Sequence, residues 1–226
     1  SFSHVVTSFP EVSGLPSARS VSFVGMPVRP AVHEAICPFE MPDEHFRILV
    51  FGGSQGARAF ADLVPPALAS LDDEDRGKLQ VVQQCRPEDM DRVRAAYDGA
   101  GIGADLAPFF RDLPMRMAKA HLVICRSGAG TVAELAVLGR PAFLVPLPGA
   151  IDQDQAHNAA AFEAEGGGVS HQQSDLTPEK LAGEVKRVMH DPEWLAKAAA
   201  AAGAMARPKA AEGLADVAEK IAEGGR

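Results

Sequence analysis

The stretch RILVFGGSQGARAF, residues 47–60, contains an apolar run, three glycines within five residues and then a segment of helical character. A strand that ends in Gly-Gly-Ser and leads into a helix leaves backbone N–H groups and the positive helix end at one edge of a sheet, where phosphate commonly binds. Glycines let an anion approach the backbone because they carry no Cβ. The simpler alternative is a tight turn in which Ser54 caps the helix. The stretch has neither the GxGxxG pattern nor a Walker lysine, which disfavours both common nucleotide motifs.

A second glycine turn follows a second apolar run in HLVICRSGAGTVAELAVLG, residues 121–139. Its small residues predict another set of open backbone amides at the start of a helix. Thr131 and Glu134 have the spacing of a capping box, in which Glu134 bonds back to the helix start. The functional alternative is that the Glu134 carboxylate accepts two ribose hydroxyls beside a phosphate.

A polar loop, PGAIDQDQAHNAAAF at residues 148–162, follows the next apolar run. It is rich in amide, carboxylate and imidazole side chains, which are the types that bind sugar hydroxyls. The simpler alternative is a polar helix start capped by Asp152. Since all three segments follow predicted parallel strands, they are expected to face one crevice, and a diphosphate between two sugars fits that crevice. The residues therefore indicate a nucleotide-sugar site.

Strand-like and helix-like runs alternate along the chain, which predicts an α/β fold with a doubly wound, Rossmann-like parallel sheet. Several strands are apolar almost throughout, as expected for a sheet covered on both faces. Strands are predicted at 4–7, 20–25, 47–51, 78–84, 105–110, 121–125, 142–147 and 167–171. Helices are predicted near 55–70, 87–98, 114–119, 130–139, 153–165, 177–190, 192–204 and 209–222.

Composition limits the function further. The 226 residues are 46% hydrophobic and carry a net charge of −8, which disfavours a nucleic-acid partner. No apolar run is long enough to span a bilayer. Cys37, Cys85 and Cys125 include no CxxC pair, which favours a reduced, cytoplasmic setting, and Cys85 and Cys125 fit best as small buried residues.

Other polar groups are interpreted as structural. The acidic run at 72–75 falls between a predicted helix and strand, so we expect a solvated loop. His121 opens a strand and is expected to be structural, whereas His157 lies in the polar loop and could contact sugar. No cluster fits a metal ion, and we expect neither a metal nor another cofactor.

GGSQGA at 52–57, the run from Phe109 through CRSGAGTVAEL, and the DQDQAHNA loop together resemble the MurG family of bacterial peptidoglycan transferases, in glycosyltransferase family 28. The resemblance extends from TSFPE at 7–11 and GMPVRP at 25–30 to the final helix. It implies a GT-B fold and a hexosyltransferase that moves N-acetylglucosamine from UDP-GlcNAc to lipid I, with inversion, to form lipid II. It also implies a role in cell-wall biogenesis, cell division and cell shape, on the cytoplasmic face of the inner membrane.

The resemblance implies four parts. Residues 1–28 are expected to be a remnant of an N-terminal acceptor domain, 29–46 an interdomain linker, 47–207 the donor domain, and 208–226 a helix that returns to the acceptor domain. The chain begins at Ser1 and looks like part of a longer protein. Lipid I binding, membrane contact and the general base are expected in the missing domain. We therefore name no catalytic residue and expect the chain to bind UDP-GlcNAc without turning it over.

The resemblance implies a substrate-binding set spread over the linker, both glycine turns, the phenylalanine pair and the polar loop: Arg29, Gly53, Ser54, Gln55, Gly56, Phe109, Phe110, Leu113, Arg126, Ala129, Gly130, Thr131, Glu134, Asp154 and Gln155. Ser54, its neighbouring amides and Arg29 are expected at the diphosphate. The backbone of Phe110 is expected to contact the uracil edge, between Phe109 and Leu113.

The second glycine turn and the polar loop supply the remaining contacts. Ala129, Gly130 and Thr131 are expected on the α-phosphate side and Glu134 at the ribose. Gln155 and Asp154 are expected to bind hydroxyls of the GlcNAc ring.

The chain also departs from the family. Met26 replaces the usual Asn before PVR, so a polar contact is lost. Gly130 stands where relatives often have a bulky aliphatic residue, which loosens the base or ribose pocket. Asp154-Gln155 replaces the paired glutamines of some members.

Three other functions stay open. One is the donor-binding subunit of the eukaryotic two-subunit GlcNAc transferase that builds lipid-linked glycans. Another is a non-enzymatic module that binds a nucleotide sugar. A UDP-GlcNAc 2-epimerase shares the architecture, but its catalytic carboxylates and histidine have no counterpart that we can identify here.

Overall fold

The computed structural model describes residues 4–8, 12, 14–149 and 153–224, with the backbone alone at 54–57. Its strands are β1 Val5–Thr7, β2 Val21–Phe23, β3 Phe46–Phe51, β4 Leu79–Gln84, β5 Gly103–Ala107, β6 Leu122–Cys125, β7 Ala142–Leu144 and β8 Gly168–Ser170. Its α-helices are α1 Pro30–Glu34, α2 Gly53–Ala69, α3 Asp73–Lys78, α4 Met90–Gly99, α5 Leu113–Lys119, α6 Ala129–Leu138, α7 Asp154–Ala164, α8 Pro178–Met189, α9 Pro192–Ala204 and α10 Ala210–Gly224. Short 3₁₀ turns occur at Pro87–Asp89 and Gln173–Asp175.

The main sheet has six parallel strands in the order β5-β4-β3-β6-β7-β8. The chain builds outward from β3 to β4 and β5, and then returns to the other side of β3 with β6, β7 and β8. The direction of winding therefore reverses between β3 and β6. This confirms the predicted doubly wound α/β fold, and it fixes the position of the crevice where ligands of such sheets bind.

Both faces of the sheet are covered, because β6 is apolar throughout and β3 is apolar at every position except Arg47. In β3, Ile48 and Val50 pack into one buried cluster with α2, α4 and α8, while Leu49 and Phe51 pack into a second cluster with α5, α6 and α7. Burial of each such side chain contributes about 1.5–3 kcal/mol relative to exposure. Cys85 and Cys125 lie in these clusters, as predicted for small buried residues.

The predicted strand at 105–110 is shifted. β5 pairs with β4 from Gly103 to Ala107 and ends before Pro108. Proline has no backbone N–H to continue a ladder. The two phenylalanines that follow are therefore in the loop after β5, where they can contribute to the carboxyl edge of the sheet.

The prediction of a solvated loop at 72–75 was wrong, because this acidic run starts α3. Asp72 is the N-cap, and its carboxylate accepts a hydrogen bond from the Asp75 backbone N–H at 3.0 Å. The acidic residues in the first turn also stabilise α3, because their negative charges lie near the positive end of the helix. Asp75 itself is buried, and its Oδ1 lies 2.8 Å from Nε2 of His190 at the end of α8.

The segment predicted as a linker packs against the α/β layer. It contains α1, whose Val32 is buried, and the backbone carbonyls of Cys37 and Pro38 accept hydrogen bonds from Arg140. Farther towards the N-terminus, β1 and β2 form a two-stranded parallel sheet. Gly213 of α10 lies close to Val24, just after β2.

Candidate functional site

The two glycine turns lie side by side at the carboxyl edge of the sheet. Phe51, the last residue of β3, is the register partner of Cys125, the last residue of β6. Each strand leads through a short turn into a helix, α2 or α6. The positive N-terminal ends of both helices therefore lie at the reversal point of the sheet, which suits a diphosphate.

The first turn depends on the left-handed backbone of Gly53, which has a φ of 66°. Gly52 is the N-cap of α2, and no described side chain caps this helix. Ser54 lies inside the first turn, so the simpler alternative that it caps the helix is wrong. The described part of the structure does not include the side chains of residues 54–57, so the contacts predicted for Ser54 and Gln55 stay predictions.

Gln84, at the end of β4, contacts this turn and was missed in the sequence analysis. Its Oε1 accepts hydrogen bonds from the Gly52 and Gly53 N–H groups at 3.3 and 3.1 Å. Its Nε2 donates to the carbonyl of Pro108 at 3.1 Å. The Gly53 amide therefore has a partner within the protein, and the diphosphate contact predicted for it competes with Gln84. A glutamine at the carboxyl end of a strand next to β3 was the available signal.

The second turn has no capping box. Gly128 is the N-cap of α6 with an ordinary φ of −60°, and no side chain among the described residues caps the helix. Thr131 is already inside the first turn, and Glu134 lies one turn farther on. A Cβ at Gly128 or Gly130 would meet no heavy atom within 4 Å. The crevice is therefore open beside this helix end.

Glu134 forms an ion pair with Arg29, which directly precedes α1. Arg29 Nε and Nη2 donate to the two Glu134 carboxylate oxygens at 2.9 and 3.1 Å. The side chain of Glu134 is 12% exposed and that of Arg29 is 55% exposed. The predicted ribose and phosphate residues are thus brought together, at the crevice side of α6. Because Arg29 is largely solvated, the pair itself contributes about 1 kcal/mol or less.

Arg126 lies beneath the crevice and makes its contacts within the protein. Its Nη1 donates to the carbonyls of Val145 and Pro146 at 2.9 and 3.0 Å, and its Nη2 donates to Gln173 Oε1 at 2.6 Å. Burial lowers the pKa of the Arg126 guanidinium. These bonds stabilise the loop after β7, while the substrate contact predicted for Arg126 stays a prediction.

The polar loop is bonded to the second glycine turn. Ser127 Oγ donates to the Gln155 carbonyl at 2.7 Å, and Asn158 Nδ2 donates to the Ser127 carbonyl at 3.0 Å. Gln155 Oε1 accepts from the Leu147 N–H at 3.0 Å, which orients the side chain and leaves its amide nitrogen as the group that can donate to a ligand.

The helix of this loop, α7, starts at Asp154, which is exposed, as is His157. Its N-cap is Gln153, in a left-handed conformation with a φ of 50°. The predicted cap, Asp152, lies outside the described residues.

The two phenylalanines after β5 differ in exposure. Phe109 is 68% exposed, whereas Phe110 is buried. The guanidinium carbon of Arg116 lies 4.3 Å from the centre of the Phe110 ring, a cation–π contact that fixes the ring. Leu113 is half-buried at the start of α5. The pair therefore presents one free aromatic face at the carboxyl edge.

His121 has the structural role predicted for it. It is 1% exposed, and its Nδ1 accepts a hydrogen bond from the Arg47 N–H at 3.0 Å, at the amino edge of the sheet. Burial, with a smaller contribution from Arg47, lowers its pKa to about 4. Within the described ranges, no three His, Cys, Asp or Glu side chains group closely enough to bind a metal ion. In the same ranges, no helix combines the length and the hydropathy needed to cross a bilayer.

Comparison with known proteins identifies the family of this chain. The C-terminal domain of glycosyltransferase family 28 matches residues 47–220. A relative from Rhizobium etli (strain CIAT 652) is 54% identical over 203 residues, covering 88% of this chain and 54% of the relative. Its name is UDP-N-acetylglucosamine--N-acetylmuramyl-(pentapeptide) pyrophosphoryl-undecaprenol N-acetylglucosamine transferase. A relative of the same name from Rhodopseudomonas palustris (strain ATCC BAA-98 / CGA009) is 50% identical over 224 residues, covering 97% of this chain and 61% of the relative.

Solved structures agree with this assignment. The crystal structure of MurG from Acinetobacter baumannii matches with a TM-score of 0.80 and 32% identity, covering 96% of this chain and 61% of that one. A UDP-GlcNAc 2-epimerase from Neisseria meningitidis matches with a TM-score of 0.56 and 13% identity, which shows a shared fold alone. The chain thus spans between about half and three-fifths of the length of the relatives it matches. It belongs to glycosyltransferase family 28, and most of it is the C-terminal domain of that family.

Proposed function

We propose that this chain is the donor-binding part of an inverting transferase that moves N-acetylglucosamine from UDP-GlcNAc to lipid I and so forms lipid II. The observation that carries the proposal is the convergence of the N-termini of α2 and α6 at the reversal point of the sheet. The names of relatives at 50 and 54% identity support this substrate and this reaction. The activity belongs to the longer protein that these relatives represent.

The diphosphate is the centre of the proposed site. As UDP leaves the anomeric carbon, negative charge builds on the diphosphate, and donors already aimed at it stabilise the transition state. In this proposal the donors are the first-turn amides of α2 and α6, Ser54 and Arg29. Arg29 is well suited because its partner Glu134 lies only one turn into α6, close to the helix end where the anion binds.

The uridine end is assigned to Glu134 and to the loop after β5. A carboxylate that is only 12% exposed can accept both ribose hydroxyls through charge-assisted bonds. The exposed ring of Phe109 covers the base, and the backbone of the loop contacts the uracil edge. Leu113 is the apolar wall behind it.

The sugar end is assigned to the polar loop. Gln155 is held by the bond from the Leu147 N–H and can donate through its amide nitrogen to a GlcNAc hydroxyl. Asp154 is exposed at the start of α7 and can accept from another hydroxyl.

The remaining parts follow the proposed two-domain arrangement. Residues 1–28 belong to the acceptor domain, 29–46 connect the domains, 47–207 bind the donor, and 208–226 return to the acceptor domain. The acceptor domain supplies the general base and contacts lipid I and the cytoplasmic membrane surface. This chain by itself then binds UDP-GlcNAc without turnover.

Calorimetric titration of the chain with UDP-GlcNAc tests the nucleotide site. Glu134→Ala is expected to weaken binding at least tenfold, because two charge-assisted hydrogen bonds are lost, each contributing about 1.5 kcal/mol or more. Glu219→Ala, an exposed change on α10, is the matched control and should bind like the parent. Unchanged affinity in Glu134→Ala would remove Glu134 from the ribose site, and a parent chain that binds no uridine nucleotide would refute the proposed function.

The same titration with UDP-GalNAc and UDP-glucose tests the sugar site. The parent is expected to prefer UDP-GlcNAc, and Gln155→Ala is expected to reduce that preference. Equal affinity of the parent for all three donors would contradict the roles of Gln155 and Asp154, while leaving the diphosphate site intact.

A further inference from the structure

Gln84 contacts two loops that come from different strands. It is the last residue of β4, which lies between β3 and β5 in the sheet. On one side its oxygen accepts from the Gly52 and Gly53 N–H groups, at 3.3 and 3.1 Å. On the other side its amide nitrogen donates to the Pro108 carbonyl, at 3.1 Å. One carboxamide thus bridges the first glycine turn and the loop that carries Phe109.

Both ends of the carboxamide are needed for this bridge. The oxygen accepts from two consecutive N–H groups, and the nitrogen donates to the Pro108 carbonyl. A glutamate would keep the acceptor but lose the donor and add negative charge beside an anion site. An apolar residue would leave two N–H groups and a carbonyl without these partners.

We propose that Gln84 is a positioning residue that sets the distance between the diphosphate-binding turn and the base-binding loop, an inference that rests on the proposed function. UDP contacts both segments at once, so a fixed distance between them removes part of the ordering cost of binding. Uridine and pyrophosphate each contact mainly one of the two segments. Their binding depends less on how the segments are placed relative to each other.

The bridge also determines which backbone amides are free to donate hydrogen bonds to the diphosphate. With Gly52 and Gly53 paired to Gln84, the turn is held open towards the crevice before any ligand arrives. The diphosphate then binds the amides that follow Gly53 in the first turn of α2. Gln84 acts through these groups and does not itself contact the donor.

The test uses Gln84→Met, which keeps the length of the side chain but removes its hydrogen bonds, and Gln84→Asn, which keeps the carboxamide but is one methylene too short. Gln80→Met is the matched control, because Gln80 is exposed on the same face of β4 but lies near the amino-terminal end of the strand, away from the crevice. Circular dichroism and thermal unfolding confirm that each variant is folded. Affinities for UDP, uridine and pyrophosphate are measured by titration or by displacement of UDP.

We expect both Gln84 variants to bind UDP about tenfold more weakly, because the distance between the two binding segments is no longer fixed before binding. We expect losses of about twofold or less for uridine and for pyrophosphate, and no change in Gln80→Met. Parent-like affinity for UDP in both Gln84 variants, or equal losses for all three ligands, would overturn the role of Gln84 while the proposed function stands. A parent chain that binds neither UDP nor UDP-GlcNAc would overturn both.

Discussion

At the residue scale, the burial of His121 links the stability of the protein to pH. Its ring accepts the Arg47 N–H and packs edge-on to Phe39. Since the imidazole is nearly inaccessible to water and lies beside an arginine, its protonated form is disfavoured in the folded state, and its pKa is about 4 instead of 6.5.

The sign of the effect follows from the two pKa values. In the unfolded chain His121 binds a proton near its ordinary pKa of 6.5, whereas in the folded protein it stays neutral down to about 4. The free energy of unfolding should therefore be highest above pH 6.5 and fall by roughly 2–3 kcal/mol between about pH 7.5 and about pH 4.5. Urea unfolding at these pH values measures the fall.

His121→Asn is the control for this prediction. The asparagine does not titrate, so the variant should be less stable at neutral pH but should lose less stability on acidification. His171, whose pKa burial also lowers, stays in both proteins and accounts for part of the remaining fall. Equal falls in parent and variant would contradict a pKa of about 4 for His121.

At the element scale, the glycines in the first turns of α2 and α6 differ in backbone conformation. Gly53 has a φ of 66°, which L-residues adopt only with strain. Gly130, inside the first turn of α6, has no such conformation, and a Cβ there would meet open space. The fold therefore requires glycine at the first position of α2 but not at the second position of α6.

Alanine substitutions at the two positions should change stability in opposite directions. Gly130→Ala should raise the free energy of unfolding by about 0.5–1 kcal/mol, because alanine loses less backbone entropy in a helix. Gly53→Ala should lower it by about 1 kcal/mol or more, because its native φ is unfavourable for alanine. Urea denaturation of both variants and the parent measures the changes, and shifts of the same sign would contradict this distinction.

At the scale of the whole molecule, Arg140 connects residues 29–46 to the α/β layer. Its buried guanidinium donates to the carbonyls of Ala118, Leu138 and Gly139 on one side, and to those of Cys37 and Pro38 on the other. The segment after α1 is thereby part of the packed structure. We expect the attachment of this segment to the α/β layer to depend on the Arg140 side chain.

Arg140→Met should lower the free energy of unfolding by about 2–4 kcal/mol, because several buried carbonyls lose a charged donor. Hydrogen exchange at residues 30–40 should also become faster relative to exchange in β3, because that segment loses its attachment. Arg111→Met, at an exposed position, is the control and should change neither quantity. Uniformly faster exchange across the sheet, with no preference for residues 30–40, would contradict a specific attachment.

Local patterns in the sequence were sufficient for the fold and for the location of the crevice. Apolar runs such as ILVF at 48–51 and the glycine turns after β3 and β6 can be recognised from residues that are adjacent in the sequence. Hydrophobic runs and turn residues predict strands and turns without knowledge of distant contacts. They predicted a doubly wound sheet whose two glycine turns face one crevice at the carboxyl ends of the strands. The acidic run at 72–75 was misassigned because its role as a helix cap depends on the helix that follows it.

Only the tertiary structure decided which polar groups meet. Gln84 is 32 residues from Gly52, Arg29 is 105 residues from Glu134, and Arg140 is 103 residues from Cys37. No local period relates such pairs, since each contact exists only after the strands have taken their order in the sheet. The amino-acid sequence by itself therefore determined the sheet, its turns and the family, while folding determined the partners of the charged and amide side chains that line and support the crevice.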